Sequence, residues 1–187
     1  MLARLVRHLR RTPDRILHPL RRRRALEALL RRPRPGTLLV ICHGNICRSP
    51  FAAALLGRAL AGLRVESAGF LGPARRSPAG ARTAAARRGV DLSSHRSRLL
   101  TAELARAAEL IVVMDAAQRR EICDRFGRLP RDVILLGDLD PAPIVARAIR
   151  DPVDQPGAAF EESYARIERC VGALASALTR APAERAA

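Results

Sequence analysis

Cys42, Arg48 and Ser49 lie close together in VICHGNICRSPFAAALL, residues 40–56. A thiol, a guanidinium and a hydroxyl at this spacing can hold an anion while a sulfur attacks it. Gly44 and Asn45, between them, are residue types that tolerate left-handed backbone, which a loop curling round an anion requires. The N–H groups of His43, Gly44, Asn45, Ile46 and Cys47 can then turn inward as a nest. Arg48 offers a planar fork that fits two oxygens of a phosphate. Cys42 at the mouth of the loop feels the same positive field, which favours thiolate, and Ser49 can hydrogen-bond the sulfur. Two other readings of Cys42 fare worse. The C-x4-C spacing of Cys42 and Cys47 lacks the second Cys or His pair of a zinc site. A small residue in a tight turn leaves Arg48 at a helix start unexplained.

The elements that must position these residues are legible on both sides. TLLVI, residues 37–41, is a short apolar run of strand type, and Ser49 to Leu60 has helical character. The loop therefore joins the carboxyl end of a strand to a helix N-terminus, where free N–H groups and the positive dipole end favour anions. RVESAG (64–69), ELIVVM (109–114) and DVILLG (132–137) read as further strands. Helices are predicted over 77–89, 101–108, 116–126 and 158–179. Residues 137–157 form a Pro- and Asp-rich loop. This alternation predicts an α/β fold: a four-stranded parallel sheet with helices on both faces, and the phosphate-binding loop after the first strand.

The chain has 187 residues, enough for one domain with a full core. Residues 36–180 are read as that domain, 181–187 as a tail and 1–35 as a basic extension, helical or disordered. The extension holds twelve arginines against Asp14 and Glu27. Leu2, Leu5, Val6 and Leu9 fall on one helical face, and Pro13 and Pro19 are expected to interrupt the helix. The extension can be a solvated tail, a surface for anionic membrane or an acidic partner, or an arm docked on the domain itself. The net charge of +16 suits anionic partners in general, yet 3% aromatic residues give no platform for stacking single strands, so no specific nucleic acid is expected. No apolar run is long enough to span a membrane and no secretory core is visible, so the expected location is cytoplasmic, peripheral to the inner membrane surface if the extension binds lipid. Four cysteines in a chain this long do not make a disulfide framework.

The signature loop, VESAGF, AARRGVDLSSHRSRLL, LIVVMD, LLGDLDP and DPVDQPGAAFEESYARI follow one another as in the low-molecular-weight protein tyrosine phosphatases, which the chain resembles over residues 37–178. The resemblance implies a cysteine phosphatase that uses neither metal nor cofactor. In it Cys42 is the nucleophile, and Arg48 and the loop N–H groups stabilise the transition state. An aspartic acid protonates the leaving oxygen. Of the two Asp-Pro pairs, Asp140-Pro141 and Asp151-Pro152, the second lies where the family carries that acid. Asn45, Ser49, Ser67, His95 and Asp115 match supporting residues. Cys47 matches a residue that shields the nucleophile by a reversible disulfide.

The implied substrates are phosphorylated proteins, with phosphotyrosine foremost, or small phosphate monoesters. The family's aromatic walls are thin here: Val153 and Asp154 follow Pro152, and Phe70 has no later aromatic companion, so His43, Phe70 and Arg75 are candidates for the entrance. Ile46 stands where phosphoarginine phosphatases carry Thr, which favours phosphate on oxygen. Arsenate reduction needs a second cysteine pair, and Cys123 and Cys170 stand far apart. A phosphate-binding module without catalysis is the alternative from another class.

Overall fold

The computed structural model describes residues 2–180, with side chains from residue 13 onward; the expected tail 181–187 lies outside the described residues. Four strands, β1 (Thr37–Cys42), β2 (Arg64–Gly69), β3 (Leu110–Val113) and β4 (Val133–Leu135), form one parallel sheet in the order β2-β1-β3-β4. Parallel strands buried on both faces read as unbroken apolar runs, as LIVV of β3 does. The helices are α1 (Leu2–Arg31), α2 (Arg48–Ala59), α3 (Ala79–Ala86), α4 (Ala102–Ala107), α5 (Ala116–Phe126) and α6 (Gly157–Thr179).

Alternation along β1 divides the core in two. Leu38, Val40 and Cys42 face a cluster built with α2, α3, α6 and Leu29 of α1, whereas Leu39 and Ile41 face one built with α4 and α5. The chain steps from β1 outward to β2, then back across to β3. The loop after β1 therefore opens at the point where strand order reverses, the usual ligand crevice of such sheets.

Most element ends shift from expectation by one to three residues, and two departures have a clear structural cause. The fourth strand stops at Leu135, because Leu136–Leu139 tightens into a buried 3-10 turn. A side chain on Gly137 would place its Cβ 2.0 Å from the Arg147 carbonyl oxygen, so this turn packs directly against the segment that follows it. At the other end of the chain, Pro13 and Pro19 do not interrupt α1, which runs through both. Both prolines are exposed, and each removes only one backbone donor. The inward face of α1 compensates: Leu29 is buried in the core, His18 Nε2 donates to the Asp140 carbonyl at 2.9 Å, and Asp14 accepts the Arg147 N–H at 3.2 Å. Side chains of Leu2, Leu5, Val6 and Leu9 lie outside the described residues.

Candidate active site

The loop from Cys42 to Ser49 is set at its centre by Asn45, a buried residue with φ of 49°. Its side chain satisfies this left-handed turn from three directions. Nδ2 donates to Ser49 Oγ and to Ser67 Oγ, each at 2.9 Å, and Oδ1 accepts the Arg98 N–H at 2.8 Å. His95 Nε2 bonds the Asn45 carbonyl oxygen at 2.7 Å. Asn45 thus ties together the loop, α2, β2 and the segment before α4. Gly69, at the end of β2, closes the packing: a Cβ there would meet Asn45 N at 2.7 Å and the His43 carbonyl oxygen at 2.8 Å. The sequence SAG allows the loop to lie against the strand.

The sulfur of Cys42 lies 3.0 Å from Ser49 Oγ, and both residues are buried. Helix α2 begins at Arg48 with no acidic residue in its first turn and no side-chain cap, so its N-terminal N–H groups face the loop uncompensated. Pro50 in that first turn lacks an N–H that would in any case have no helical partner. Cys47, at the other end of the loop and as deeply buried as Cys42, has its thiol pushed up, first by burial and then by Cys42 and Asp151.

Arg48 is almost wholly buried, yet its guanidinium reaches the mouth. Nη1 donates to the Ile149 carbonyl at 3.0 Å, Nη2 pairs with Asp151, and Nε has no partner. Asp151 is part-exposed, and its other oxygen accepts the Val153 N–H at 3.2 Å. Cys42, His43, Gly44, Ile46, Cys47, Arg48, Leu71, Arg75, Asp151 and Val153 line one cleft. Of the entrance candidates, His43 and Arg75 line it, whereas Phe70 lines an adjoining groove with Asp115. Leu71 and Val153 line it where aromatic walls were expected to be thin, and they make those walls aliphatic.

Asp140 belongs elsewhere. It is 1% exposed and bound by Arg166 and Arg169 of α6 at 3.0–3.1 Å. Burial alone would raise its pKa, but Arg169, the Ala142 N–H and the charge of Arg166 outweigh that and hold the carboxyl below its ordinary value. Asp115 makes no hydrogen bond to the loop: its Oδ1 accepts the Gln118 N–H at 2.8 Å and caps α5, while the residue lines the adjoining groove with His43, Arg48 and Asp151. Tyr164 was not singled out from the sequence. Its hydroxyl donates to the Cys47 carbonyl at 3.1 Å, and its ring stacks on Phe51 at 4.0 Å, so α6 supports the loop from below. Cys123 and Cys170 fall in opposite halves of the core, and burial pushes the Cys170 thiol up to about 12. Neither lines the cleft that holds Cys42.

This arrangement has counterparts of known family. Residues 37–184 match the family described as low molecular weight phosphotyrosine protein phosphatase. The probable low molecular weight protein-tyrosine-phosphatase EpsP of Ralstonia nicotianae is 42% identical over 139 residues, 73% of this chain and 92% of that protein. The crystal structure of the Erwinia amylovora tyrosine phosphatase AmsI superposes with a TM-score of 0.72 at 31% identity, covering 78% of this chain and 95% of that one. The YwlE arginine phosphatase of Geobacillus stearothermophilus superposes with a TM-score of 0.67 at 28% identity, covering 76% and 92%. By sequence and by architecture, the chain belongs to the low-molecular-weight phosphotyrosine protein phosphatase family.

Proposed function

We propose that the chain hydrolyses phosphate monoesters, with protein phosphotyrosine as the main substrate, through a phosphocysteine intermediate. The observation that carries this is the meeting of Asp151 and Arg48, more than a hundred residues apart in sequence, over the loop that holds Cys42. An acid, an anion clamp and a sulfur nucleophile share one cleft.

In the first step the Cys42 sulfur attacks phosphorus in line as the bond to the leaving oxygen breaks, and Asp151 gives that oxygen its proton. In the second step Asp151, now a carboxylate, takes a proton from water. The water oxygen attacks the phosphocysteine, which releases phosphate and the thiolate. Ser49, bonded to the sulfur, steadies it as it departs. The equatorial oxygens, which gain charge in both transition states, are held by Arg48 and by the loop N–H groups of residues 43 to 49. Asn45 and His95 keep those groups aligned without touching the substrate.

Leu71 and Val153 give an apolar slot suited to the flat face of an aryl ester, and Arg75 at its rim suits an acidic peptide flank. Ile46, buried and in the cleft lining, offers no hydroxyl to a phosphoramidate nitrogen, which supports oxygen over nitrogen esters.

The test is hydrolysis of p-nitrophenyl phosphate and of a phosphotyrosyl peptide, with phosphoarginine alongside. The wild-type chain is expected to turn over both esters, and Cys42→Ser to be inactive. A wild-type chain that binds phosphate tightly but hydrolyses none of the three would overturn the enzyme reading in favour of a binding module. Asp151→Ala, which retains the nucleophile, is the variant for trapping physiological substrates.

A further inference from the structure

Helix α1 runs alongside the sheet with a definite direction. At its carboxyl end Arg32 donates to the Glu109 carbonyl at 3.0 Å, immediately before β3 begins. Its middle lies past the end of β4, where His18 bonds the Asp140 carbonyl and Arg22 that of Leu139. The helix is therefore antiparallel to the strands, and its N-terminal part heads toward the carboxyl ends of the strands, the end at which the Cys42 loop opens. The turns before Pro13 continue this line for roughly 16–18 Å at 1.5 Å per residue.

Among the described residues, the inward face of α1 is occupied by its contacts with the domain, and apolar side chains on the outward face are exposed. Ile16 is 69% exposed, and Leu17 and Leu20 are 40% exposed. In the sequence, spacings of seven and four residues carry the pattern of Leu2, Leu5, Val6 and Leu9 on to Ile16 and Leu20. Arginines surround the stripe. Among the described residues Arg15 and Arg24 have no carboxylate partner, and the extension as a whole has twelve arginines against two carboxylates. No described helix is long and apolar enough to cross a membrane. A basic helix with a narrow apolar stripe lies in the interface, the stripe among the acyl chains and the arginines among anionic headgroups.

We infer that α1 is an interfacial anchor that seats the protein on an anionic lipid surface, with the Cys42 cleft facing along or toward that surface. The anchoring itself does not depend on the catalytic reading. On that reading, it would favour phosphorylated segments held close to a membrane.

The test is co-sedimentation of the full chain with phosphatidylcholine vesicles, with and without phosphatidylglycerol. Binding is expected to the anionic vesicles only, and to weaken as salt is raised. The double variant Ile16→Glu/Leu20→Glu alters two exposed side chains, so its thermal midpoint should stay near wild type while its bound fraction falls about tenfold. Should that midpoint drop, Leu20→Ser alone is measured in its place, with a smaller fall expected. Equal partition onto neutral and anionic vesicles would overturn the inference. So would unchanged anionic binding in the variant, since the stripe would then not enter the interface. Self-association that the variant abolishes, without any preference for anionic vesicles, would assign the stripe to a second copy instead. Vesicle binding by a chain that hydrolyses no phosphoester would leave the anchor standing and remove the phosphatase.

Discussion

Asp140-Pro141 and Asp151-Pro152 are one dipeptide in two opposite settings. Asp140 has no solvent, two arginines from α6, a backbone N–H on one carboxylate oxygen, and a histidine from α1 on its own carbonyl. It ties α1, α6 and the segment after β4 into one unit. Asp151 has one guanidinium, one local N–H and an open side toward the cleft. An acid that must give up and regain a proton needs such freedom, and a charge that organises three elements must be denied it. The difference comes from which remote arginines reach each aspartate, and the dipeptide itself has no part in it.

The largest expected effect tests the catalytic half of this contrast. Asp151→Asn should lower kcat for an aryl phosphate by about 100- to 10,000-fold, the usual contribution of a general acid, and should flatten the pH–rate profile on the limb that the acid controls. Its unfolding midpoint should barely move, since the residue is part-exposed. Full activity in Asp151→Asn together with loss in Asp140→Asn would reverse the assignment.

Asp140→Asn is expected to do the converse. It leaves Arg166 and Arg169 facing a neutral amide in a buried site, at a cost of about 3 kcal/mol in urea unfolding, with kcat of the folded fraction nearly unchanged. The pH dependence follows from the lowered pKa of Asp140. A carboxyl depressed in the folded state stabilises it above the unfolded pKa of about 4, and this contribution is lost as pH falls below that and through the folded value. Wild type should therefore lose stability below about pH 4 more steeply than Asp140→Asn. His18→Ala touches the same knot from α1, removing a bond to the Asp140 carbonyl and a buried ring. About 2 kcal/mol of destabilisation is expected, again without a change in kcat.

The sequence reveals most where the determinants are local. Helix α5 was legible to the residue, since Asp115 caps its start and Gly127, at φ of 64°, ends it. RVESAG was legible as a complete strand, with the small Ala68 and Gly69 at its buried end. The Cys42 loop was legible because a cysteine, an arginine and two left-handed-tolerant residues fall within one short stretch of chain. What escaped depends on long-range partners. The groove that Asp115 shares with Arg48 and Asp151 is one such case, since segments far apart in sequence build it. Continuity of α1 through two prolines could not be read from local propensity, because contacts with residues more than a hundred positions away sustain it. The walls of the cleft come from Leu71 and Val153, aliphatic residues that carry no local signal of a binding site.

The smallest effect concerns helix α6, which serves both settings: Arg166 and Arg169 hold Asp140, and Tyr164 supports the Cys42 loop. Tyr164→Phe deletes one hydroxyl and keeps the stacked ring against Phe51 and the edge contact with Phe160. The Cys47 carbonyl that loses this donor still accepts the Phe51 N–H, at 3.4 Å. It is weakened rather than orphaned, so the expected cost is about 0.5–1 kcal/mol, at the low end for a buried hydrogen bond. Because Cys47 immediately precedes the first turn of α2, the slackening falls on the N–H groups aimed at phosphate, and a several-fold loss of kcat with little change in KM is expected from steady-state kinetics. If stability falls as far as in His18→Ala while kcat stays constant, Tyr164 belongs with Asp140 as part of the structural knot, and α6 does not divide its labour between the two sites.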